Sequence, residues 1–381
     1  MQTVDAAGLS IGDDHPPRIM GVLNVSRESP YDPSVHEDPG TAAEYVDEEL
    51  IDEGADIVDV GLESANKRFE VLSAEAELDR LDTAVEAVES TSGDAVFSIE
   101  TRYAEVAEEA LSRGFDMVND ICGFADPRMP EVCREFDAAV VKMASPPDLE
   151  RPGAVESVEE IYAALRRDGL TGKTIVDPAF GGWSESRTLA DDRAIFRRLR
   201  EFQGLNRPIL VSINRKNFLR AVAGRSTEGA LPVSLAATSM AVERGADVVR
   251  THDVAQTRDS ALIGDEFARS RLRRPDLGVR ELDVTAPAEL DRQFDRVGAD
   301  ADPNEGAVGA FEVSGLTETT RARVAEAAEE AGATLAGGDG ESAVLFGTVG
   351  ALVETTHLLR DDEGLRALML SIRQAAVSGR G

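Results

Sequence analysis

The chain has 381 residues, of which 42% are hydrophobic, so it is long and apolar enough to bury a large core. Its 72 acidic and 40 basic side chains give a formal net charge of -32, and such a surface repels nucleic acid and anionic membranes. We therefore expect one large domain with a smaller one, and neither nucleic acid nor a membrane as partner.

Lysine is almost absent, since only Lys67, Lys142, Lys173 and Lys216 accompany the arginines. An acidic, lysine-poor surface is typical of a cytoplasm of molar salt, in which the Debye length falls to about 3 Å and self-repulsion is screened. The composition predicts a halophilic protein. An acidic interaction tail is the alternative interpretation.

Two cysteines, Cys122 and Cys133, are too few for a disulfide framework or a zinc site, which favours a reducing compartment. The first residues contain Asp5, Asp13 and Asp14 and no apolar run, so neither a signal peptide nor an anchor is predicted. No segment approaches the roughly 18 apolar residues that cross a bilayer. We expect a cytoplasmic location.

Short apolar segments alternate with amphipathic ones from residue 18 to about 270. The predicted strands are Arg18 to Val25, Ile57 to Gly61, Ala95 to Glu100, Met117 to Ile121, Ala138 to Met143, Thr174 to Asp177, Ile209 to Ile213 and Asp247 to His252. The predicted helices are Thr41 to Glu53, Ala74 to Glu89, Ala104 to Arg113, Val158 to Arg167, Asp191 to Phe202, Val233 to Arg244 and Asp259 to Ala268. Helix ends are marked by glycines typical of left-handed caps, namely Gly54, Gly114, Gly169 and Gly245. Eight βα units in about 250 residues favour an α/β fold, a (β/α)8 TIM barrel, over a doubly wound sheet.

The rest of the chain is divided as follows: residues 1–17 form an N-terminal extension, 18–270 the barrel, 271–280 a linker, and 281–381 a small C-terminal α/β domain of unknown role. In this last part Val308 to Val313 predicts a strand, and Thr317 to Ala331 a helix capped by Thr317. Gly337 to Gly340 predicts a tight loop. Val344 to Leu359 fits either a strand followed by a helix or one helix throughout.

Polar or charged residues stand at or just after the ends of nearly all the predicted strands: Asn24, Glu63, Glu100, Asn119, Asp120, Lys142, Asp177, Lys216, Arg250 and His252. A barrel interior packed with apolar side chains has no structural use for so many charges unless a ligand pairs them. The sequence therefore predicts a binding site at the carboxyl ends of the strands.

This predicted site has two chemical halves. Glu100, Asn119, Asp177 and Lys216 suit a flat nitrogen heterocycle whose amino-pyrimidinone edge donates N–H bonds in pairs. The other half suits phosphate and the hard metal ion that phosphate carries, and it consists of Asn24, Arg250 and His252. Together they indicate a heterocycle bearing phosphate or pyrophosphate.

Six segments occur in the order seen in the dihydropteroate synthases of the pterin-binding family: Ile19-Met20-Gly21-Val22-Leu23-Asn24-Val25, Val58-Asp59-Val60-Gly61-Leu62-Glu63-Ser64, Val118-Asn119-Asp120-Ile121, Val176-Asp177-Pro178, Asn214-Arg215-Lys216 and Val249-Arg250-Thr251-His252-Asp253. The chain resembles that family from residue 18 to about 270. Each segment alone is weak evidence, but six in order on eight βα units are strong evidence for the family.

The resemblance implies a role for each matching residue. Asn24 would meet Mg²⁺ and pyrophosphate; Asn119, Asp177 and Lys216 would hold the pterin. Arg250 and His252 would bind the leaving pyrophosphate, and Arg215 would line the p-aminobenzoate side. Asp177, Lys216, Arg250 and His252 would be the catalytic residues. Glu100 stands where the family usually has aspartate, so the pterin would have to sit slightly differently.

The implied reaction joins 6-hydroxymethyl-7,8-dihydropterin pyrophosphate to p-aminobenzoate or another arylamine and releases pyrophosphate, a step of folate biosynthesis. Family members are commonly homodimers, which is expected here too. Two alternatives remain: a pterin-dependent methyltransferase, and a non-catalytic pterin-binding paralogue.

The loops that normally complete the synthase site are altered. Asn24-Val25 is followed by Ser26-Arg27-Glu28-Ser29-Pro30-Tyr31-Asp32, where the family has threonine, proline, aspartate, serine and an aromatic residue. Ser64 is followed by Ala65-Asn66-Lys67-Arg68, where the family has threonine, arginine, proline and glycine. Asp177-Pro178 is followed by Ala179-Phe180-Gly181-Gly182-Trp183, which lacks the usual lysine and contains the only tryptophan, a candidate for stacking on an aromatic substrate. These differences leave the identity of the arylamine open.

Overall fold

The computed structural model describes residues 2–12, 15–25, 34–36, 38–63, 71–181, 184, 186–337 and 342–377. The chain divides into two compact units. The first comprises Met1–Leu199 and Asn206–Ser270, and the second comprises Arg200–Leu205 and Arg271–Gly381.

The first unit is built on parallel strands that follow a short hairpin, β1 (Val4–Ala6) and β2 (Leu9–Ile11). The parallel strands are β3 (Arg18–Asn24), β4 (Ile57–Gly61), β5 (Val96–Thr101), β6 (Met117–Asp120), β7 (Ala139–Met143), β8 (Thr174–Asp177), β9 (Leu210–Val211) and β10 (Val248–Thr251). Neighbours in this order pair in parallel, and β10 returns to pair with β3. A parallel bridge between Val176 and Ile209 joins β8 to β9 and closes the ring. Within the described ranges these eight strands confirm the predicted TIM barrel.

Helices follow the strands of the barrel along the chain. They are α1 (Pro39–Tyr45, continued by a π-helical segment Val46–Ile51), α2 (Ala74–Ser90), α3 (Ala104–Ser112), α4 (Met129–Glu135), α5 (Val158–Arg166), α6 (Leu189–Arg197), α7 (Asn217–Ala223), α8 (Leu231–Glu243) and α9 (Val254–Glu266). All four glycines predicted as helix ends have positive φ, from 75° at Gly169 to 104° at Gly114. In the part of the chain that the structure describes, no helix combines the length and the apolar character needed to cross a bilayer.

An apolar cluster fills the amino-terminal half of the barrel interior. Its members come from the strands and from the hairpin: Val4, Ala6, Ile11, Met20, Ile57, Val96, Met117, Ala139, Val141, Ile175, Leu210 and Val248. The segment predicted as an N-terminal extension thus includes a hairpin that contributes three buried side chains to this core. Burial of such apolar surface is the main stabilising contribution to a fold of this kind.

The interior changes from apolar to polar along each strand because side chains alternate with a period of two. On β4 the inward-facing residues are first Ile57 and then, two positions later, Asp59. On β5 they are Val96 and then Ser98. Ile57 pairs in register with Val96, and Asp59 with Ser98. The carboxyl half of the barrel is therefore a polar layer resting on an apolar one.

The second unit contains a three-stranded antiparallel sheet in the order β13-β15-β14. Its elements are β11 (Arg273–Arg274), β12 (Val279–Arg280), α10 (Pro287–Val297), β13 (Val308–Ser314), α11 (Glu318–Ala331), β14 (Thr334–Ala336), β15 (Ser342–Thr348), α12 (Val349–Leu358) and α13 (Arg366–Val377). Thr317 caps α11 by accepting from the backbone N–H of Thr320, as predicted. Of the two alternatives for Val344 to Leu359, the strand followed by a helix is correct. The predicted loop at Gly337 to Gly340 lies mostly outside the described residues.

Candidate functional site

The predicted site residues all lie at the carboxyl ends of barrel strands. Asn24 and Asp177 are the last residues of β3 and β8. Glu100, Asn119 and Arg250 are the last but one residues of β5, β6 and β10. Arg215 and Lys216 lie between β9 and α7, and His252 directly follows β10. In a parallel barrel these ends share one rim, where enzymes of this fold carry their chemistry.

Asp59 is the centre of a hydrogen-bond network in this rim. Its fully buried carboxylate accepts from Ser98 Oγ at 2.8 Å, Asn119 Nδ2 at 2.9 Å and Arg250 Nε at 2.8 Å. A buried carboxylate is tolerated because three donors replace water. The network fixes the amide of Asn119, so that its Oδ1 is the atom that can accept from a ligand.

Arg250 joins the two chemical halves of the site. It bonds Asp59 through Nε, and its Nη2 donates to Glu100 Oε2 at 2.6 Å. Burial disfavours the charge of Arg250, but Glu100 and Asp59 together raise its pKa above the usual value. For Glu100 burial raises the pKa, and the guanidinium of Arg250 opposes that rise. The extra methylene of glutamate is long enough to make this ion pair.

Asp177 is held by the turn that follows β8. Its Oδ1 accepts from the backbone N–H of Ala179 at 2.7 Å, and Ala179 adopts a left-handed backbone with φ 60°. Burial raises the pKa of Asp177 to about 6, and this hydrogen bond and the charge of Lys216 limit the rise. At neutral pH the carboxylate is largely ionised and can accept two N–H bonds from one edge of a heterocycle.

Lys216 approaches the same turn from the other side. A Cβ built on Gly181 would lie only 2.7 Å from Lys216 Nζ, and Gly181 has φ 110°. Burial lowers the pKa of Lys216, and the nearby charge of Asp177 opposes this. Only glycine at position 181 leaves room for the ammonium group in this position.

His252 lies in the same charged environment. Burial and then the positive charge of Arg250 lower the pKa of its imidazole to about 3. The ring is therefore neutral at pH 7, and it can offer a phosphate one N–H donor but no positive charge.

Arg215 is tied to the strand end of β10. Its Nε and Nη2 bond the two carboxylate oxygens of Asp253 at 2.9 and 2.7 Å, and its Nη1 donates to the carbonyl of Thr227 at 3.0 Å. Burial alone would raise the pKa of Asp253, but hydrogen bonds from Arg215 and Asn214 lower it. The bidentate pair holds the loop that carries Lys216.

Asn24 is buried at the end of β3 with a fixed amide. Its Nδ2 donates to Ser34 Oγ at 2.7 Å, so Oδ1 is the side-chain atom that can coordinate a cation. Among the residues that the structure describes, no three histidine, cysteine, aspartate or glutamate side chains gather as a metal site. A single neutral oxygen suits Mg²⁺, which usually takes one or two protein ligands and completes its shell with water and substrate phosphate.

Three polar residues at the predicted strand ends do not face the inside of the barrel as expected, namely Lys142, Asp120 and Glu63. The prediction that Lys142 belongs to the site is wrong. Its Nζ donates to the carbonyl oxygens of Arg167 and Gly169 and lies 4.5 Å from the ring centroid of Phe124. It pairs in register with Asp120, one position beyond the inward Asn119, so it points to the opposite face. Asp120 itself accepts from the backbone of Cys122 and forms a turn.

Glu63 has a structural partner. Its Oε2 accepts from Arg102 at 2.6 Å in a buried ion pair, and Arg102 also donates to the carbonyl of Leu149 at 2.6 Å. This contact connects the chain after β4 with that after β5. The altered segments at 26–32 and 65–68, together with Trp183, lie outside the described residues.

Sequence reasoning missed three residues. Asp59 stands in a quoted segment and has the same inward alternation as Ile57, which would have identified it. Gly181 follows Asp177 by four positions, but nothing in the sequence shows its approach to Lys216. Arg187, whose side chain is fully buried, donates to the carbonyl of Ala179 at 2.6 Å and is recognisable only from the structure.

The model of a family described as pterin binding enzyme matches residues 20–252. The dihydropteroate synthase of Bacillus subtilis is 30% identical over 253 residues, which are 65% of this chain and 87% of that protein. A probable bifunctional folylpolyglutamate synthase/dihydropteroate synthase of Halobacterium salinarum is 33% identical over 250 residues, which are 62% of this chain. The match spans only 30% of that bifunctional relative.

Solved structures of dihydropteroate synthases resemble the barrel. The enzyme of Coxiella burnetii in complex with pteroic acid has a TM-score of 0.58 and 28% identity, and the match covers 69% of this chain and 98% of that one. The enzyme of Xanthomonas albilineans with 4-aminobenzoic acid has a TM-score of 0.57 and 29% identity, with 68% and 96% covered. The likeness thus extends over nearly the whole of those proteins.

Proposed function

The chain belongs to the pterin-binding enzyme family, and we propose that it is a transferase of the dihydropteroate synthase type. It condenses 6-hydroxymethyl-7,8-dihydropterin pyrophosphate with p-aminobenzoate or another arylamine and releases pyrophosphate, in folate biosynthesis. The observation that carries this proposal is the network of Asp59, Arg250 and Glu100, which links a heterocycle-binding half to an anion-binding half in one rim.

The heterocycle half offers hydrogen-bond partners to the pterin. Asp177 is largely ionised and accepts N–H bonds, Asn119 presents its amide oxygen, and Lys216 donates from a partly desolvated ammonium. Buried and fixed partners of this kind discriminate strongly against a ring that lacks the matching groups. Glu100 adds negative charge near the ring.

The anion half receives pyrophosphate. Arg250 supplies the positive charge and His252 a neutral N–H donor. Asn24 would provide one oxygen to a Mg²⁺ ion held mainly by the pyrophosphate, and the bound ion would neutralise negative charge on the leaving group. The fixed orientation of the Asn24 amide supports this assignment.

The reaction breaks the C–O bond between the pterin methylene and pyrophosphate and forms a C–N bond to the arylamine, which loses a proton. Positive charge develops on the pterin methylene as the bond breaks, and negative charge on the departing oxygen. Asp177 and Glu100 stabilise the positive charge, and Arg250 stabilises the negative charge. These interactions are strong because the site is largely shielded from water. No covalent enzyme intermediate is needed.

Two alternatives keep the pterin and change the chemistry. A pterin-dependent methyltransferase would need the heterocycle half but has no use for Arg250 and His252 beside it. A non-catalytic pterin-binding protein would bind the substrate and release nothing. The half-buried Arg250, held between two carboxylates at one end of the heterocycle half, favours the synthase.

We propose further that the active form is a homodimer. Helices α8 and α9 pack closely, since Ser239 Oγ donates to the carbonyl of Ser260 at 2.7 Å, and they present apolar side chains to solvent. These exposed side chains are Met240, Leu262, Ile263 and Phe267. An apolar group of this kind on a charged surface supports burial against a second copy of the chain.

The activity is tested by incubating the protein with the pterin pyrophosphate and Mg²⁺ in molar KCl, with and without p-aminobenzoate. Pyrophosphate release that depends on the amine, with one dihydropteroate formed per pyrophosphate, supports the synthase. Binding of the pterin pyrophosphate without release supports the non-catalytic alternative, and binding of pterin without any affinity for pyrophosphate supports the methyltransferase.

Lys216→Ala should weaken binding of 6-hydroxymethylpterin at least 100-fold, because it removes a half-buried charged donor and leaves Asp177 without its neighbour. Titration by fluorescence quenching measures this. Lys142→Ala is the matched control, since it removes a buried lysine that faces away from the interior, and it should bind normally. Normal binding by the Lys216 variant would remove that residue from the site.

A further inference from the structure

We infer that the buried ion pair of Arg187 and Asp192 is a positioning device that sets the place of Asp177 and Lys216 in the pterin site. The inference rests on the proposed function for its effect on pterin binding. Neither residue belongs to the predicted site, and both are reached through the turn after β8.

The contacts form a chain from the ion pair to each site residue. Arg187 Nη2 lies 2.7 Å from Asp192 Oδ1, and Arg187 Nη1 donates to the carbonyl of Ala179 at 2.6 Å. The N–H of Ala179 in turn donates to Asp177 Oδ1. Ala179 is thus the shared residue: its carbonyl oxygen accepts from Arg187, and its N–H donates to Asp177.

The second branch leads to Lys216. Asp192 Oδ1 accepts from the N–H of Gly181 at 3.4 Å, a weak bond at this length. Gly181 is the residue whose missing Cβ makes room for Lys216 Nζ. The ion pair therefore contacts the backbone at both positions on which the carboxylate and the ammonium depend, closely at Ala179 and weakly at Gly181.

The turn is strained without such support. Ala179 adopts φ 60°, a left-handed conformation that is unfavourable for an L-residue with a Cβ. Such a conformation persists where the surroundings hold it. The guanidinium of Arg187 holds the carbonyl of Ala179, and the carboxylate of Asp177 holds its N–H.

Stability alone does not account for this ion pair. Both side chains are almost completely buried, at 0% and 4% exposure. Desolvation makes such pairs neutral or worse than apolar residues of similar size. Helix capping does not account for it either, because α6 already has a capping box made by Thr188 and Asp191.

The pair also acts on the site by charge. The positive charge of Arg187 is one of the factors that lower the pKa of Asp177 and of Lys216, whereas Asp192 favours the charged form of Lys216. Removal of Arg187 should raise the pKa of both groups. Asp177 would then lose its negative charge at a higher pH than in the wild type.

The first experiment measures the affinity for 6-hydroxymethylpterin from pH 5 to 9 for the wild type, Arg187→Met and Arg187→Lys. We expect Arg187→Met to bind at least tenfold more weakly at pH 7, with the acidic limb of the profile shifted to higher pH. Arg187→Lys keeps the charge and should restore the profile. Lys142→Met, a buried cation replaced away from the site, should lose thermal stability without changing affinity or profile.

The second experiment needs no pterin. The chain contains four lysines, so labelling with lysine enriched in ¹³C at Cε gives four NMR signals, assigned by single Lys→Arg variants. Arg187→Met should raise the pKa of Lys216, while the double variant Arg187→Met, Asp192→Leu should raise it less. Folding of each variant is read from the other lysine signals.

The outcomes separate the two proposals. If the wild type binds no pterin, the proposed function fails, but a raised pKa of Lys216 in Arg187→Met still supports the positioning role. An unchanged pKa of Lys216, or an unchanged pterin affinity and pH profile in a wild type that binds pterin, would overturn the role of the ion pair.

Discussion

Glu100 reaches across the barrel rim to Arg250, and this contact depends on the length of its side chain. Its Oε2 accepts from Arg250 Nη2 at 2.6 Å, and Asp59 Oδ2 accepts from Nε of the same guanidinium at 2.8 Å. A substrate pyrophosphate would therefore compete with two carboxylates for Arg250. The extra methylene of Glu100, which stands where the family usually has aspartate, sets the strength of that competition.

Glu100→Asp should relieve the competition by shortening the side chain. We expect the affinity for inorganic pyrophosphate with Mg²⁺ to rise about three- to tenfold, roughly 1 kcal/mol, and that for 6-hydroxymethylpterin to change less than threefold. Calorimetric titration measures both. Glu100→Gln, which keeps the length and loses the charge, is the matched variant and should also bind pyrophosphate more tightly. Weaker pyrophosphate binding by both would contradict this account of Arg250.

Glu77 on α2 is a buried carboxyl whose protonation affects stability. Burial raises its pKa to about 8, and the hydrogen bond that Thr101 Oγ1 donates to it at 2.5 Å lowers it only in part. The folded state therefore holds a proton that the unfolded state loses near pH 4.5. Its contribution to stability is complete below pH 4.5 and is lost as the pH rises through about 8.

Glu77→Gln should accordingly flatten the pH dependence of stability. Between pH 5 and 9 the wild type should lose on the order of 2 kcal/mol more free energy of unfolding than the variant. Urea unfolding at constant KCl concentration measures the difference. The exposed Glu75 on the same helix gives the control, Glu75→Gln, which should follow the wild type. Parallel curves for the wild type and Glu77→Gln would show that Glu77 is ionised in the folded protein.

At the residue scale, the sequence predicts which strand ends are polar but not which polar residues face inward. Asn119 and Lys142 were both assigned to the site, yet the register places Lys142 on the opposite face of β7. A shift of one residue reverses the face, and predicted strand ends are uncertain by more than that. Asp59 escapes prediction because its partner Arg250 is 191 residues away in sequence. Arg187 escapes prediction because its partner is a backbone carbonyl, that of Ala179, which no residue type in the sequence marks.

At the scale of elements, long periodic segments were predicted well. Strands β4 and β8 have the predicted bounds, and the cap of α11 is the predicted Thr317. Two helices of seven residues, α4 and α7, were missed because they are too short to show a period. Strand β9 has only two residues in place of the predicted five, since its pairing partners are short as well.

The outer face of α8 and α9 is where we propose the dimer contact. The double variant Ile263→Asp, Phe267→Asp should put two charges into an apolar interface and shift the protein to a monomer. We expect the association constant of the dimer to fall at least 100-fold. Sedimentation velocity in molar KCl measures this. Leu370→Asp, at another exposed apolar position on α13, should leave the oligomeric state unchanged. A wild type that sediments as a monomer would contradict the proposed homodimer.

At the scale of the whole molecule, the charge of -32 dominates the expected response to salt. Repulsion among carboxylates opposes the compact state, and the Debye length falls from about 10 Å at 0.1 M salt to about 3 Å at 1 M. The polar layer of the barrel is different, because Asp59 and Glu100 are paired with Arg250 in a site that salt screens much less. Salt should therefore act on stability more than on the site.

We expect the midpoint of thermal unfolding to rise by roughly 10 °C or more between 0.1 M and 2 M KCl, with most of the rise below 1 M, where screening changes most. Sucrose at equal osmolality gives the control, since it strengthens burial without screening charge. Affinity for 6-hydroxymethylpterin, which is uncharged, should change less than threefold over the same range once the protein is folded. A midpoint that is indifferent to KCl would remove salt adaptation as the reason for the acidic composition, and an equal response to sucrose would assign the stabilisation to burial rather than to charge.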